Sequence, residues 1–286
     1  MFIQSALVLR GVARRVCHHR LQLTKETVRN LCQVVLRQAS QGLRGEHPLP
    51  VAVSLTVTLN LYTSGSFQDS SRVLCSISQS SAHRHTQDVM DALCTCELDY
   101  ITFNLDQAHQ DAQSAGLAAV AGMSQVHGVI DGTHVTLRAS ARQRVPFINR
   151  KGFPSLNVEL VYNHQLQIMN FCARYPGSVH SAYTWCTRRF PALLRHSLDE
   201  GLTRGLRTEV MADDVCAEAQ TEVKNHYNDV QLANRRIIDL CIGILKMRFR
   251  CLEHSGGALQ CSPQRVTRIM AAAVSCTTLC RGGMTC

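Results

Sequence analysis

Apolar residues recur every three to four positions in the first hundred residues, a spacing that predicts amphipathic helices. The first helix is predicted to follow Thr24, which can cap it, and to end before Gly42. Its apolar face comprises Val28, Leu31, Val35 and Ala39. A second, more apolar helix is predicted to start at Val51 and to stop at Gly65. The N-terminal region is therefore expected to be all-helical.

The segment from Asp69 to Leu93 has the pattern of a helix-turn-helix, with a short helix, a turn at residues 77–79 and a longer helix. The longer helix is predicted to bury Ala82, Thr86, Val89 and Leu93, and to present outward Ser80, His83, Arg84 and Gln87. The second helix of such a motif reads the DNA major groove. Arg84 is therefore a candidate DNA contact, and an ordinary solvated helical face is the alternative.

Beyond the segment Gln107–Ala121, which is predicted to be helical, the apolar pattern changes to the period of strands. One strand is predicted around Asp131. In the next, residues 156–163, apolar and polar positions alternate, which favours a strand with one more polar face. A turn at Asn163–His164 and a third strand at residues 166–172 would complete a hairpin.

Two further helices are predicted in the last sixty residues. The first, residues 230–249, has one apolar stripe, formed by Ile238, Ile242, Leu245 and Phe249. Asp239 lies beside that stripe. The second begins at Ser262-Pro263, a favourable helix start, and its apolar face comprises Val266, Ile269, Met270 and Ala273.

Composition narrows the class of protein. The 286 residues can form one large domain or two smaller ones, and the hydrophobic share of 45% is ordinary for a globular protein. No apolar run reaches the roughly 18 residues that span a bilayer, so a membrane protein is not expected. Lys and Arg exceed Asp and Glu by 30 to 21, and the resulting net charge of +9 favours a polyanionic partner such as DNA.

The 14 cysteines do not have the spacing of a zinc site, because no two are separated by two residues. Reduced, mostly buried thiols in an intracellular protein are the preferred interpretation. The Arg-rich start, with Arg10, Arg14, Arg15 and Arg20 before the first acid, could be a mitochondrial presequence. The beginning of the helical region is the preferred alternative.

Asp131 is the residue most indicative of chemistry. A carboxylate in a buried strand needs a metal ion or another partner, because its desolvation costs several kcal/mol. Asp131 is therefore either a metal ligand or a turn residue before Gly132, since Asp-Gly is also a common turn dipeptide.

Four motifs follow one another along the chain: GVIDGTHV at 128–135, PFINRKGFPSLNVELVYN at 146–163, YPGSVH at 175–180 and RRIIDLCIGILKMRFRCLEHSGGALQCSP at 235–263. This series resembles the nucleases derived from PIF/Harbinger transposases, of the DDE superfamily, from about Leu23 to Leu279. The resemblance implies an α/β fold. A helical, helix-turn-helix-like DNA-binding region would occupy residues 1–106, and an RNase H-like nuclease domain with a shortened middle would occupy residues 107–286.

The resemblance also implies a site in which three carboxylates hold two divalent ions, Mg or Mn, and no small-molecule cofactor. Asp131 matches the first acid, and Asp239, four residues before Gly243, stands where relatives have glutamate. Ser181 occupies the catalytic position of the second acid. Asp131 and Asp239 are thus the expected metal ligands. An exposed ion pair with Arg235 or Arg236 is the alternative for Asp239.

Two segments keep alternatives open. Asn149, Arg150 and Lys151 are either phosphate contacts or a solvated loop before Gly152. Residues 205–223 are shorter than the corresponding part of relatives, through a true deletion or a faulty gene model.

The expected function is a metal-dependent DNA endonuclease, a hydrolase of phosphodiester bonds, that is weak or inactive because Ser181 adds no charge. The alternative is a catalytically dead protein that binds DNA or a protein. Kinship further implies a DNA-binding partner protein and residence in the nucleus, with the cytoplasm as a second location.

Overall fold

The computed structural model describes residues 23–39, 49–65, 77–96, 101, 106–122, 126–139, 144–179, 222–254 and 257–281. Its helices are α1 Lys25–Ala39, α2 Val51–Ser64, α3 Gln79–Thr95, α4 Gln107–Ala121, α5 Arg144–Phe147, α6 Glu222–Arg248 and α7 Pro263–Arg281. Its strands are β1 Val129–Thr136, β2 Ser155–Tyr162 and β3 Ile168–Pro176, and a 3-10 turn covers Arg250–Leu252. The structure thus contains the predicted N-terminal helices and, after them, a small sheet.

The chain forms two compact units. One takes its described residues from the ranges 1–101, 135–140 and 245–286, and the other from 102–134 and 141–244. The first boundary lies close to the predicted one after residue 106. The described residues from 245 onward group with the N-terminal helices, and Leu259 also donates its N–H to the Thr136 carbonyl at the end of β1 (3.1 Å).

In the helical unit, α3 packs against α1, α2 and α7. The predicted apolar faces are largely confirmed. Ala82 is only half-buried and the Ala39 side chain lies outside the described residues, but the core contains Val28, Leu31, Val35, Val89, Leu93, Val266, Ile269, Met270 and Ala273. The predicted capping of α1 by Thr24 is also observed. The Thr24 hydroxyl accepts a hydrogen bond from the Thr27 N–H (3.1 Å), and Ser78 caps α3 by accepting one from the Ser81 N–H (3.2 Å). The short first helix of the predicted helix-turn-helix lies outside the described residues.

Helix α2 is buried on nearly all sides, including its polar positions. The hydroxyls of Thr56 and Thr58 donate to backbone carbonyls one turn earlier, at 2.7 and 2.8 Å, so their burial leaves no donor unsatisfied. Ser54 contacts the buried His85 ring of α3 through its hydroxyl (3.3 Å). Burial lowers the pKa of His85, with opposing effects of Asp88 and Arg84.

The cysteines of the described segments pack mostly as small apolar groups. Five are buried: Cys32, Cys96, Cys241, Cys251 and Cys276. Burial raises the pKa of the Cys32 thiol to about 11 and raises that of Cys251 further. Cys32 and Cys251 are therefore neutral near pH 7, and the burial of most described cysteines agrees with the predicted buried thiols.

The second unit contains a three-stranded sheet in the order β1-β2-β3, in which β2 and β3 are antiparallel. The predicted hairpin is confirmed. The Asn163 side chain closes its turn by accepting hydrogen bonds from the N–H groups of Gln165 (3.0 Å) and Gln167 (2.8 Å). β3 extends to Pro176, beyond the predicted end at residue 172. All eight residues of β2 are buried, so the expected polar face is covered by protein.

Helix α6 begins at Glu222, eight residues before the predicted start. Ile238, Leu245 and Phe249 are buried, whereas Ile242 is half-buried, so the predicted stripe is largely confirmed. None of the helices in the described ranges has the length and apolar character needed to cross a membrane.

Helix α4 contacts the β2–β3 turn through Gln113 and His164. The Gln113 side chain contacts the His164 ring nitrogen at 2.7 Å and the His109 ring nitrogen at 3.3 Å. Burial, and secondarily the neighbouring His109, lowers the pKa of His164. The His164 ring lies directly over Gly116, where a Cβ atom would meet it at 2.5 Å. Glycine at position 116 is therefore required for this close packing.

We expect Gly116→Ala and Gly243→Ala to have opposite effects, although both add a methyl group inside a helix. An added Cβ at Gly243 meets nothing within 4 Å, so alanine should raise the free energy of unfolding by about 0.5–1 kcal/mol through helix propensity. At Gly116 it should displace His164 and lower that free energy by about 1–3 kcal/mol, because overpacking outweighs propensity. Urea unfolding followed by circular dichroism measures both, and equal stabilisation by the two variants would contradict the packing described for His164.

Candidate functional site

Asp131 lies within β1, where it is half-buried. Its Oδ1 accepts a hydrogen bond from the N–H of Gly132 at 2.7 Å. Gly132 continues the strand, so the interpretation of Asp131 as a turn residue is wrong. The carboxylate is therefore held on a regular element, as a ligand or binding group needs to be.

A polar junction links β1 to the start of β2. The Ser155 hydroxyl lies 3.0 Å from His134 Nδ1 and accepts a hydrogen bond from Asn149 Nδ2, also at 3.0 Å. The backbone carbonyl of Ser155 accepts a further hydrogen bond, from the N–H of Gly177 (2.8 Å). We call His134, Asn149, Ser155 and Gly177 the Ser155 junction. It joins three of the four sequence motifs.

Asn149 shapes the loop that carries Arg150 and Lys151. Its Oδ1 accepts hydrogen bonds from the N–H groups of Lys151 (2.9 Å) and Phe153 (3.4 Å), and the residue is only 5% exposed. The amide of Asn149 is therefore engaged by partners inside the protein, and little of its side chain is exposed to a phosphate group. Arg150 and Lys151 are exposed.

The PGSV turn is held against the same strand. An added Cβ on Gly177 would lie 2.2 Å from the Ser155 hydroxyl and 2.7 Å from the Phe147 carbonyl oxygen, so only glycine fits. Asn157 Nδ2 donates to the carbonyl of Val179 at 3.0 Å. Backbone and amide contacts thus fix the chain up to residue 179. His180 and Ser181 lie outside the described residues.

Asp239 is on α6, in the same unit as Asp131, and its side chain is 61% exposed. Its Oδ2 lies 4.0 Å from Nε of Arg235, one turn earlier. This is the ion pair that the sequence offered as the alternative for Asp239. Such exposed pairs contribute only tenths of a kcal/mol to stability.

The donor set can be compared with the needs of two dications. Within the described residues, no three side chains of His, Cys, Asp or Glu come together in a way that could hold a metal ion. Mg²⁺ and Mn²⁺ prefer anionic oxygen ligands, and one of the two predicted acids is solvated and paired with an arginine. The described residues therefore do not fit a two-ion site.

Arg84 lies on the exposed side of α3, as predicted, but α7 covers part of that side. The His83 ring contacts the guanidinium of Arg265 at 3.3 Å. Gln87 donates to Asp91 at 3.2 Å, and Asp91 also pairs with Arg268. Of the residues predicted to face DNA from α3, Ser80 and Arg84 are exposed and lie away from these contacts with α7.

His134, Ser155 and Gly177 were not among the predicted site residues. His134 and Ser155 are 21 positions apart, and neither periodicity nor spacing indicates that their side chains meet. Gly177 carried a signal, since a glycine inside a motif is typical of close backbone approach.

Comparison with known proteins agrees with these motifs. Residues 130–280 match the family described as DDE superfamily endonuclease. The Homo sapiens protein named "Putative nuclease HARBI1" is 32% identical over 224 residues, covering 75% of this chain and 62% of that protein. The Bos taurus and Mus musculus proteins of the same name are 31% and 30% identical over 228 residues, covering 76% of this chain and 64% of theirs. No solved structure matches the chain.

The chain thus spans less than two thirds of the length of these relatives. The matched range includes the Asp131 strand, the Ser155 junction and the Asp239 helix. For the superfamily in general, the endonuclease domain implies dependence on a divalent metal. The motifs and the matches together show that this chain belongs to the DDE superfamily of endonucleases, among the nucleases derived from Harbinger transposases.

Proposed function

We propose that this chain is a DNA-binding member of its nuclease family in which metal-dependent hydrolysis of phosphodiester bonds is weak or lost. The ancestral site consists of Asp131 and Asp239 as metal ligands, with Ser181 in the place of the second of three carboxylates. The arrangement is proposed to be RNase H-like. The strand order β1-β2-β3, with Asp131 on the first strand and Asp239 on a late helix, supports that assignment.

The observation that most supports loss of hydrolysis is that few carboxylates remain to bind two metal ions. Asp131 is well placed on its strand, but Asp239 is exposed and paired with Arg235. Ser181 is neutral, so it cannot offset the repulsion between two dications. When bound, such ions activate water and stabilise the leaving oxygen. Because the described donors do not fit two ions, no hydrolytic step is assigned to them.

Asp131 has a consistent role without a bound ion. A half-buried carboxylate that accepts the Gly132 N–H keeps a fixed position on its strand. Its negative charge repels a nearby phosphate group. A bound metal ion would remove this repulsion in an active relative. DNA binding by this chain is therefore assigned to cations elsewhere on its surface.

The net charge of +9 and three exposed cations support the DNA-binding half of the proposal. Arg84 projects from α3, and Arg150 and Lys151 project from the loop that Asn149 shapes. Each phosphate contact releases counterions, so binding by these residues is salt-dependent and tolerant of sequence. Asn149 is a positioning residue for that loop and makes no DNA contact itself.

A DNA-binding partner protein and residence in the nucleus are part of the proposal, supported by kinship with transposase-derived nucleases. A protein-binding role without DNA is the second candidate. Exclusion of a fluorescent fusion from the nucleus, with no DNA retained at low salt, would favour that candidate over the first.

Ser181→Asp should strengthen metal binding, because it returns one carboxylate to the proposed site. Ligand-sphere changes commonly alter metal affinity by about 10–100-fold, so we expect Mn²⁺ affinity to rise at least about tenfold by isothermal titration calorimetry. Nicking of supercoiled DNA should rise in parallel from near background.

The matched controls are Asp131→Ala, which should abolish both gains in the Ser181→Asp background, and Ser178→Asp, which places the same charge three residues earlier. Ser178 is exposed, so its substitution should leave folding intact. Mg²⁺- or Mn²⁺-dependent nicking by the unaltered chain, lost on Asp131→Ala, would show that the proposal of weak or absent activity is wrong.

Arg84→Gln should weaken DNA binding and reduce the slope of log affinity against log salt by about one unit, the effect of losing one phosphate contact. Arg236→Gln on α6 is the matched control, since it removes the same charge from an exposed helical position. Fluorescence anisotropy over a salt series measures both variants. Identical slopes for the two would remove Arg84 from the DNA-binding surface.

A further inference from the structure

The connection between β1 and β2 has an unusual distribution of charge. No Asp or Glu occurs between Asp131 and Glu159. The same stretch contains five cations: Arg138, Arg142, Arg144, Arg150 and Lys151. Such an acid-free, cationic segment favours contact with a polyanion over contact with an average protein surface.

Two aliphatic side chains project from this segment into solvent. Val145 is 77% exposed and Ile148 is 36% exposed. Scattered exposed aliphatic residues are ordinary on protein surfaces and need no explanation. Here the two lie within four residues of each other, and three exposed cations surround them in sequence. We call Val145 and Ile148 the apolar tip, and Arg144, Arg150 and Lys151 the basic rim.

Backbone hydrogen bonds and a β-bridge fix the position of the apolar tip. The N–H of Ile148 donates to the Val145 carbonyl at 3.3 Å, and Ile148 forms a strand-like bridge with Pro154. The next residue, Asn149, is anchored on Ser155. From the other side, the N–H of Ser178 donates to the Pro146 carbonyl at 3.3 Å. A surface that is ordered before binding loses less entropy when it binds.

Gly152 allows the loop to make a tight turn after the apolar tip. Its φ of +81° is a conformation that other residues rarely adopt, and its N–H donates to the Asn149 carbonyl at 2.9 Å. This tight return places Arg150 and Lys151 at the exposed turn. The loop therefore presents aliphatic and cationic side chains together.

We propose that the apolar tip is a wedge that inserts beside an unstacked base of DNA, while the basic rim binds the flanking phosphates. Proteins that kink DNA insert apolar side chains between base steps in this way. The wedge should favour DNA that is already mismatched or bulged, because less stacking has to be broken there. This inference rests on the proposed DNA binding and adds to it a preference for distorted duplexes.

Fluorescence anisotropy with the full chain tests the inference on two duplexes, one fully paired and one that is identical except for a central bulged 2-aminopurine. The unaltered chain should bind the bulged duplex more tightly and should raise the 2-aminopurine fluorescence. Val145→Ser/Ile148→Ser should lower the preference for the bulge about tenfold, as the loss of two aliphatic contacts predicts, and abolish the fluorescence change.

Val120→Ser is the matched control, because Val120 is 58% exposed on α4 and no cation flanks it in that helix. Val120→Ser should leave the affinity for both duplexes unchanged. Arg150→Gln/Lys151→Gln should weaken binding of both duplexes equally and leave the preference intact. If circular dichroism shows that Val145→Ser/Ile148→Ser loses helicity, the preference for the bulged duplex is measured with Val145→Ser alone. The Val145 side chain is largely in solvent, so this substitution should not disturb folding.

The outcomes separate the two proposals. Absence of binding to either duplex at low salt would overturn both the wedge and the proposed DNA binding. Binding with an equal preference in Val145→Ser and Val120→Ser would overturn the wedge alone. A changed sedimentation coefficient in Val145→Ser, with DNA binding unaltered, would also overturn the wedge and assign the apolar tip to a protein contact.

Discussion

The hydroxyl of Ser155 is the point on which the organisation of the candidate site depends. It meets the His134 ring of β1 and the Asn149 amide of the following loop, and the carbonyl of the same residue binds Gly177. Each contact is a single hydrogen bond and contributes only about 1 kcal/mol by itself. Their convergence on one residue makes them mutually dependent, because the loss of one leaves buried partners unsatisfied. The position of the Arg150 loop and the path of the PGSV turn follow from this junction.

The helical unit is organised by a different constraint, the burial of apolar faces from both ends of the sequence. α7 comes last in the described chain, yet it packs against α3 and α1. It starts at Pro263, and all of its residues from Ile269 to Thr277 are buried, so the middle of the helix is covered on all sides. The same packing brings Arg265 and Arg268 onto the side of α3 where a reading surface was predicted. The helical unit therefore presents to solvent a surface to which two distant segments contribute.

Local sequence patterns predicted the helices and strands well, because their periods are set by residues only a few positions apart in sequence. The starts of α1 and α7 were indicated by a capping threonine and by a Ser-Pro pair. Long-range pairing had no such signal, so the association of α7 with the N-terminal helices and the covering of β2 were not anticipated. For the site, the strand position of Asp131 and the exposure of Arg150 followed from sequence. The burial of Asn149 did not, because an Asn-Arg-Lys-Gly turn reads as polar whichever way its amide points.

The bonds of the Ser155 junction run between hydroxyl, amide, imidazole and backbone groups, and none of them involves a carboxylate or a metal ion. The scaffold around Asp131 can consequently persist when acids elsewhere in a triad are replaced, since stability and chemistry draw on separate atoms. Mutational drift could thus silence the reaction while the architecture endured. A lineage of such chains would keep a recognisable shape long after the selective reason for the original carboxylates had gone.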